Sequence, residues 1–580
     1  MRPEIERATT DILILGSGGA GLFAALHAQR ADPSLSVTVA TKGLIGKSGC
    51  TRMVQGGFNA AMNAGDSIER HFMDTIEGGK WLCDQELAWT LVTKAVERVR
   101  ELENEVGCFF DRNSDGTLHG KAFAGQTFDR TVHKGDLTGI EIVSRLMEQV
   151  WARPVKRLEE HRAVALIKTR GGTKIAGVLM IDIRSGALRF VASKAVLLAT
   201  GGGPTMYRYH TPSGDKSMDG LAMALRAGLP LRDMEMVQFH PTGLLAGPDT
   251  RMTGTVLEEG LRGAGGHLIN GAGERFMARY DDKLERATRD VVSRAIYAEM
   301  KAGRVTPNGG VFIKMDHLGP AQVRKQFKGM VERCADCGFD LAGGLVEVVP
   351  TAHYFMGGLV VSPDTLTELN GLFCAGEDAS GMHGANRLGG NGVANSTVFG
   401  AIAGDVMADY VRGQEAGAPD EDALTAEAAR ALAPFESPPG NPYLLREKLM
   451  DLMWEEAGVI RDATGLSRAL KGLDALEREL LTSGVDGSTR AFNLTWHDWL
   501  NLRSLIETSR VIVLAALARK NSRGAHFRGD FPGPGDFAAS RYTVARMSGG
   551  AVSVSDAPVA FTRVRPGASL MRGADMESVA

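Results

Sequence analysis

A strand, a glycine turn and a helix near the start of the chain constrain its fold more than any other feature. Thr10–Leu15 is a short apolar run that ends directly in Gly16-Ser17-Gly18-Gly19-Ala20-Gly21. Leu22–Arg30 then has helical spacing, and Ser36–Ala40 reads as a second strand. A GxGxxG says little alone, but inside a β-α-β unit of about 30 residues it predicts a dinucleotide-binding turn. The glycines allow a tight bend and a close approach of backbone to a pyrophosphate, and the helix N-terminus adds N–H donors and a favourable dipole. The acid that usually ends the second strand of an NAD site is missing, because the chain reads Ala40-Thr41-Lys42 there.

A second apolar strand, Ala195–Ala199, runs into Thr200-Gly201-Gly202-Gly203. Read alone, it is either backbone beside a cofactor or a buried strand with a tight turn. At 580 residues the chain predicts three to four structural units, taking about 150 residues for each. Residues 60–150 have helical spacing, 160–200 are strand-rich, and 245–350 have the composition of an inserted α/β unit. Residues 371–410 return to glycine-rich sequence, and 425–535 read as mainly helical. Glu421–Arg430 reads as a linker or a solvated face, and the last 45 residues hold one strand-like stretch, Ala551–Val564.

Several classes are excluded or disfavoured. The net charge is -3, with no basic block to neutralise nucleic-acid phosphates. No apolar run reaches the roughly 18–20 residues needed to span a bilayer. The first residues lack a signal peptide's pattern, so the chain is expected in the cytoplasm, free or peripheral to a membrane through a partner. The six cysteines are scattered, and Cys334-Ala-Asp-Cys337 is a lone CxxC, too few ligands for a zinc or iron–sulfur site. No metal ligands are assigned. The chain is therefore expected to carry no iron–sulfur cluster of its own.

Five segments combine polar residues with glycine: Gln238–Gly243, Glu258–Gly263, Arg289–Arg294, Pro350–Gly358 and His383–Asn391. Singly, each has an ordinary reading as a turn or a surface ion pair. Together they supply His240, His353, Arg289, Arg387 and a Glu–Arg pair, a set suited to holding a small dianion and moving one proton.

These segments, with GSGGAG (16–21), QGG (55–57), HKGDLTG (133–139), ATGGG (199–203), GLFCAGE (371–377) and SRGAHFR (522–528), resemble the flavoprotein subunits of the succinate dehydrogenase/fumarate reductase family, which includes L-aspartate oxidase. The resemblance runs from about residue 10 to residue 535. It implies an α/β, Rossmann-like FAD-binding domain from two segments (1–244 and 350–424), with an α/β capping domain (245–349) inserted between them. A helical domain (425–535) and a C-terminal segment (536–580) follow.

The expected FAD contacts are Gly16, Gly18, Gly19, Ala20, Gly21, Thr41, Lys42, Ser48, Gln55, Gly56, Gly57, Thr200, Gly201, Asp219, Glu377, Arg387 and Asn391. By the same resemblance, His240, His353 and Arg387 hold substrate carboxylates. Arg289 is the general acid that protonates fumarate as flavin N5 delivers hydride, and Glu259 and Arg262 return protons to it. The implied activity is interconversion of fumarate and succinate or a related small dicarboxylate. The alternatives are an aspartate oxidase-type enzyme, or an electron-transfer subunit working with an iron–sulfur partner on another, sulfur-containing substrate.

Three positions depart from the family. Cys50 stands where membrane-complex members carry the histidine bonded to FAD, so the FAD is expected to be non-covalent. Phe123 matches the apolar residue of the succinate/fumarate enzymes, where aspartate oxidases place a glutamate. Glu258 replaces a threonine that bonds a substrate carboxylate. It is either a cavity residue that selects a different group at that end or a salt-bridge partner outside the pocket.

Overall fold

The computed structural model describes residues 3–248 and 250–571. Strand Ile5–Leu15 is part-exposed at its start and wholly buried over Ile12–Leu15, as expected for a strand entering the middle of a parallel sheet. It pairs in parallel with Val37–Ala40 on one side and Leu188–Leu198 on the other. Lys156–Leu158 extends the sheet beyond Val37–Ala40, and Leu372–Cys374 pairs with the end of Leu188–Leu198. The parallel layer is thus drawn from two distant stretches of chain. The first half of Leu188–Leu198 pairs antiparallel with Ile175–Asp182, which carries His161–Lys168 at the edge.

Helix Gly19–Ala31 packs on helix Asn391–Val411. The approach is close because Gly400 and Gly404 share one helix face. A Cβ there would lie 2.5 Å from the Ala20 carbonyl oxygen and 2.4 Å from that of Ala24. The first helix begins three residues before the predicted Leu22, so the glycine turn runs straight into it.

A four-stranded antiparallel sheet, ordered Val237–Leu244, Leu345–Phe355, Val311–Lys314, His267–Ile269, links this base to a capping layer. The cap has its own apolar core, including Leu257, Leu261, Phe276, Val292, Ile296 and Val346. Helices Pro442–Ala457, Ala463–Thr482 and Leu494–Ala518 behave differently: Leu449, Met453, Leu473 and Trp496 continue the main core rather than forming a second one.

Three sequence readings need correction or refinement. Glu421–Arg430 is not a linker but the solvated face of helix Glu421–Leu432, with Glu421, Asp422 and Ala423 exposed and Leu424 and Ala428 buried. The C-terminal strand ends at Pro558 rather than Val564, and it is half of a hairpin whose other strand, Arg541–Ser548, was not foreseen. The helical stretch 60–150 also holds two two-residue strands, Gly120–Lys121 and Thr131–Val132, with a third, Phe58–Asn59, just before it. Residues 572–580 of the expected C-terminal segment lie outside the described residues. No helix among the described residues is long and apolar enough to cross a membrane.

Candidate active site

A cavity of about 650 Å³ is lined by the first glycine turn, by Thr200–Gly202, and by a cluster of histidines and arginines beneath the cap. Its glycine turn admits no side chains at two positions. Gly16 sits at φ +114°, where a Cβ would lie 2.0 Å from the Ala199 carbonyl oxygen, and a Cβ on Gly21 would lie 2.0 Å from that of Gly16. Gly18 precedes the first helix in extended conformation and offers no side-chain cap. Gly390 likewise begins helix Asn391–Val411 at φ +86° without one. Two helix N-termini therefore border the same cavity and present N–H donors to it. Ser17 Oγ, also in the lining, is buried without a hydrogen-bond partner. An elongated cavity with glycine-lined backbone, two uncapped helix starts and an orphaned hydroxyl fits a dinucleotide cofactor.

Side chains brace this end from behind. Lys42 pairs with Asp219 at 2.7 Å, and Arg162 pairs with the same carboxylate at 2.7 Å. Burial lowers the Lys42 ammonium to about 8, whereas for Asp219 Arg162 and Lys42 overcome burial and hold the carboxyl far below its ordinary value. Asp378, not foreseen, accepts the N–H groups of Thr200 at 2.5 Å and Gly201 at 3.1 Å, fixing that turn. Glu377 accepts the Phe355 N–H at 2.9 Å. Burial raises both carboxyls to about 7.

The other end is built from side chains. Arg289, at the start of helix Arg289–Lys301, donates to Glu259 Oε2 from Nε at 2.9 Å and from a terminal nitrogen at 2.6 Å. Its other terminal nitrogen donates to Gln238 Oε1 at 3.0 Å. Arg262 donates to Glu259 Oε1 at 3.1 Å and to the Glu285 carbonyl at 2.6 Å. Burial pushes the Glu259 carboxyl up, but Arg289 and Arg262 outweigh it and hold the group below the usual range.

Arg387 lies 4.4 Å over the Tyr354 ring and makes no ion pair among the described residues. Its Nε is buried without a partner, and burial next to Arg289 lowers the guanidinium to about 10. A buried cation left unmatched by protein is a strong invitation to an anion. The His240 and His353 rings lie 5.4 Å apart. Both are held well below the ordinary histidine range by burial and by the neighbouring arginines, so they are neutral. His240 Nδ1 accepts the Thr242 N–H at 3.3 Å, which leaves its Nε2 as a donor. Phe123 closes the wall against Gly56 and Gly389.

The predicted residues do not all meet at the cavity. Gly16, Gly18, Gly19, Ala20, Thr41, Lys42, Ser48, Gly56, Gly57, Thr200, Gly201, Asp219 and Glu377 line it, as do Phe123, His240, Glu258, Glu259, Arg289, His353 and Arg387. Arg262 stands behind Glu259 rather than in the wall. Gly21 instead lets the helix settle on the turn. The Asn391 side chain is turned away, because Asn59 and His71 occupy its Oδ1 at 2.8 and 3.0 Å. Gln55 lines the cavity, but its side-chain oxygen is taken up by the Arg333 guanidinium, which donates to it. Arg289 does not pair with its neighbour Asp290, which bonds Arg294 and Thr288 instead. Glu258 lines the cavity and is also salt-bridged, to Lys121 at 2.6 Å. Lys121, Asp378 and Tyr354 escaped the sequence reading. Tyr354 adjoins His353 and Asp378 adjoins Glu377, which is a signal of sorts; Lys121 carried none.

Fold and cavity together define an FAD-dependent oxidoreductase. Residues 11–393 match the FAD binding domain family, and residues 446–570 match the fumarate reductase flavoprotein C-terminal family. The chain belongs to the succinate dehydrogenase/fumarate reductase flavoprotein family, whose members act on CH–CH groups. It is 40% identical to an uncharacterized FAD-dependent oxidoreductase of Methanocaldococcus jannaschii, over 90% of this chain and 94% of that protein. It is 38% identical to one chain of the CoM/CoB fumarate reductase of Methanothermobacter marburgensis, over 91% of this chain and 96% of that one. Among solved structures, E. coli quinol fumarate reductase superposes with a TM-score of 0.91 at 31% identity, covering 97% of this chain and 99% of that one.

Proposed function

We propose that this chain interconverts fumarate and succinate, or a closely related small dicarboxylate, with Arg289 as proton donor and FAD held without a covalent bond. The carrying observation is the buried chain Arg262–Glu259–Arg289, placed beside an Arg387 that has no carboxylate partner among the described residues. Bound FAD supplies or accepts the hydride at N5. Arg387, His240 and His353 hold and polarise the substrate, since neutral imidazole N–H and guanidinium groups donate to carboxylate oxygens without adding a competing negative charge. Arg289 presents its guanidinium to the carbon that takes the proton. A guanidinium is a poor acid in water, with a pKa above 12, so it serves only where the proton is replaced at once. Glu259 touches it at 2.6 Å and Arg262 stands behind Glu259.

Phe123 offers no partner to a substrate ammonium, which disfavours aspartate oxidation. Cys50 supports a non-covalent cofactor: burial next to Glu377 raises its thiol to about 12, so at neutral pH it is not a nucleophilic thiolate. The likeness to flavoprotein subunits supports an electron-carrying partner protein with iron–sulfur centres. Anaerobically reduced protein should be reoxidised by fumarate, and acid precipitation should release all its flavin. Failure of reoxidation would remove the fumarate reading; flavin remaining on the pellet would remove the non-covalent one.

A further inference from the structure

Glu258 faces the cavity with one oxygen unused. It is 3% exposed. Its Oε1 accepts from Lys121 Nζ at 2.6 Å, and Lys121 also donates to the Gly135 carbonyl at 2.7 Å. Its Oε2 accepts no hydrogen bond from the described residues. The neighbouring groups are donors or already engaged: Glu259 gives both oxygens to Arg289 and Arg262, His240 offers an N–H, and Arg387 offers guanidinium N–H groups. We propose that Glu258 determines specificity, and that the substrate is a four-carbon unsaturated acid with a carboxylate at one end and an N–H-bearing amide at the other.

The inference rests on the reading above that the cavity carries out double-bond chemistry on a small diacid-like molecule. A substrate carboxylate placed against Glu258 would set lone pairs against lone pairs and one negative charge beside another. Some proton must lie between them. Burial raises the Glu258 carboxyl and Lys121, at ion-pair distance, opposes that rise; with Lys121 taken up on Oε1, the proton for Oε2 comes from the substrate. Arg289 and Arg262 share Glu259, and Lys121 matches Glu258, so Arg387 is the guanidinium at this end without a carboxylate partner among the described residues, with room for one. The chemistry is unchanged: two electrons and two protons, delivered as one hydride and one proton, turn the double bond into a single bond and leave the amide intact.

The test compares fumarate with its monoamide as oxidants of the FAD-loaded protein, with reduced viologen as the electron source. In the native protein, kcat/KM for the monoamide should exceed that for fumarate roughly ten- to a hundredfold, the worth of a hydrogen bond to a charged acceptor. Glu258→Thr should reverse the order, chiefly through KM, with flavin content unchanged. Preference for fumarate with a ratio that Glu258→Thr leaves alone would overturn the proposal. So would a fumarate KM that climbs about tenfold per pH unit in the native protein but not in Glu258→Gln, since Glu258 would then carry the proton itself. If neither compound oxidises the reduced flavin, the parent reading falls and takes this one with it. The native ratio decides the matter even if a variant does not fold.

Discussion

The two ends of the cavity are made of different materials. At the glycine end the wall is backbone: helix starts, turns at positive φ, and carbonyls that leave no space for a Cβ. At the cap end it is side chain: buried charges paired within the cap, Arg262–Glu259–Arg289, and across from it to Lys121. A backbone site tolerates no substitution but needs no electrostatic tuning. A side-chain site keeps its shape under conservative substitution and loses chemistry instead.

Gly16→Ala should give the largest effect. Its Cβ would overlap the Ala199 carbonyl at 2.0 Å with φ at +114°, so both visible flavin absorbance and turnover should disappear together. A yellow, active Gly16→Ala protein would contradict the backbone-built end. Arg289→Gln should keep the flavin and its reduction by an artificial donor, yet lower alkene turnover by on the order of 10²–10⁴, the worth of a positioned general acid. Near-native turnover would take Arg289 out of the mechanism. Arg262→Gln should cost about tenfold and act mainly on the pH profile, because Arg262 reaches the substrate only through Glu259; a loss equal to that of Arg289→Gln would argue for a structural role.

The smallest effect concerns stability alone. Asp378 is raised by burial from 3.8 to about 7. Between those values the folded chain holds a proton that the unfolded chain has released. Its contribution is therefore complete below the lower value and is lost as pH rises through about 7, by about 4 kcal/mol at most. Asp378→Asn should flatten the fall in melting temperature across that range. An unchanged slope would assign it to the other buried carboxyls raised to about 7 by burial, Glu377 and Asp233.

What could be read from sequence follows the same division. The strand–glycine–helix turn was legible because its constraint is local: the residues that bend the chain and those that line the cavity fall within one stretch of six. The His and Arg positions were visible through family likeness, but their pairing was not. Nothing local says that Arg289 joins Glu259 rather than Asp290, or that Lys121 crosses to Glu258. The hairpin strand Arg541–Ser548 was missed because its exposed face gives a weak alternation and its second partner, Leu231–Arg232, lies about 300 residues away. Asn391 was placed at the cofactor by family likeness, which says nothing of the side-chain bonds that tie its helix to Asn59 and His71.

The cap's separate core has a kinetic corollary. Arg262, Glu259 and Arg289 all belong to the cap segment, whereas Arg387 and the glycine turn belong to the base, and His353 stands on the strand that joins the two. Lifting one layer from the other would break the Arg289–Gln238 bond but leave Arg289, Glu259 and Arg262 together. In the proposed mechanism, proton source and hydride site would then part company as intact halves. An open molecule could then exchange substrate and reload its acid in the same interval, with no risk of delivering one half of the reaction without the other.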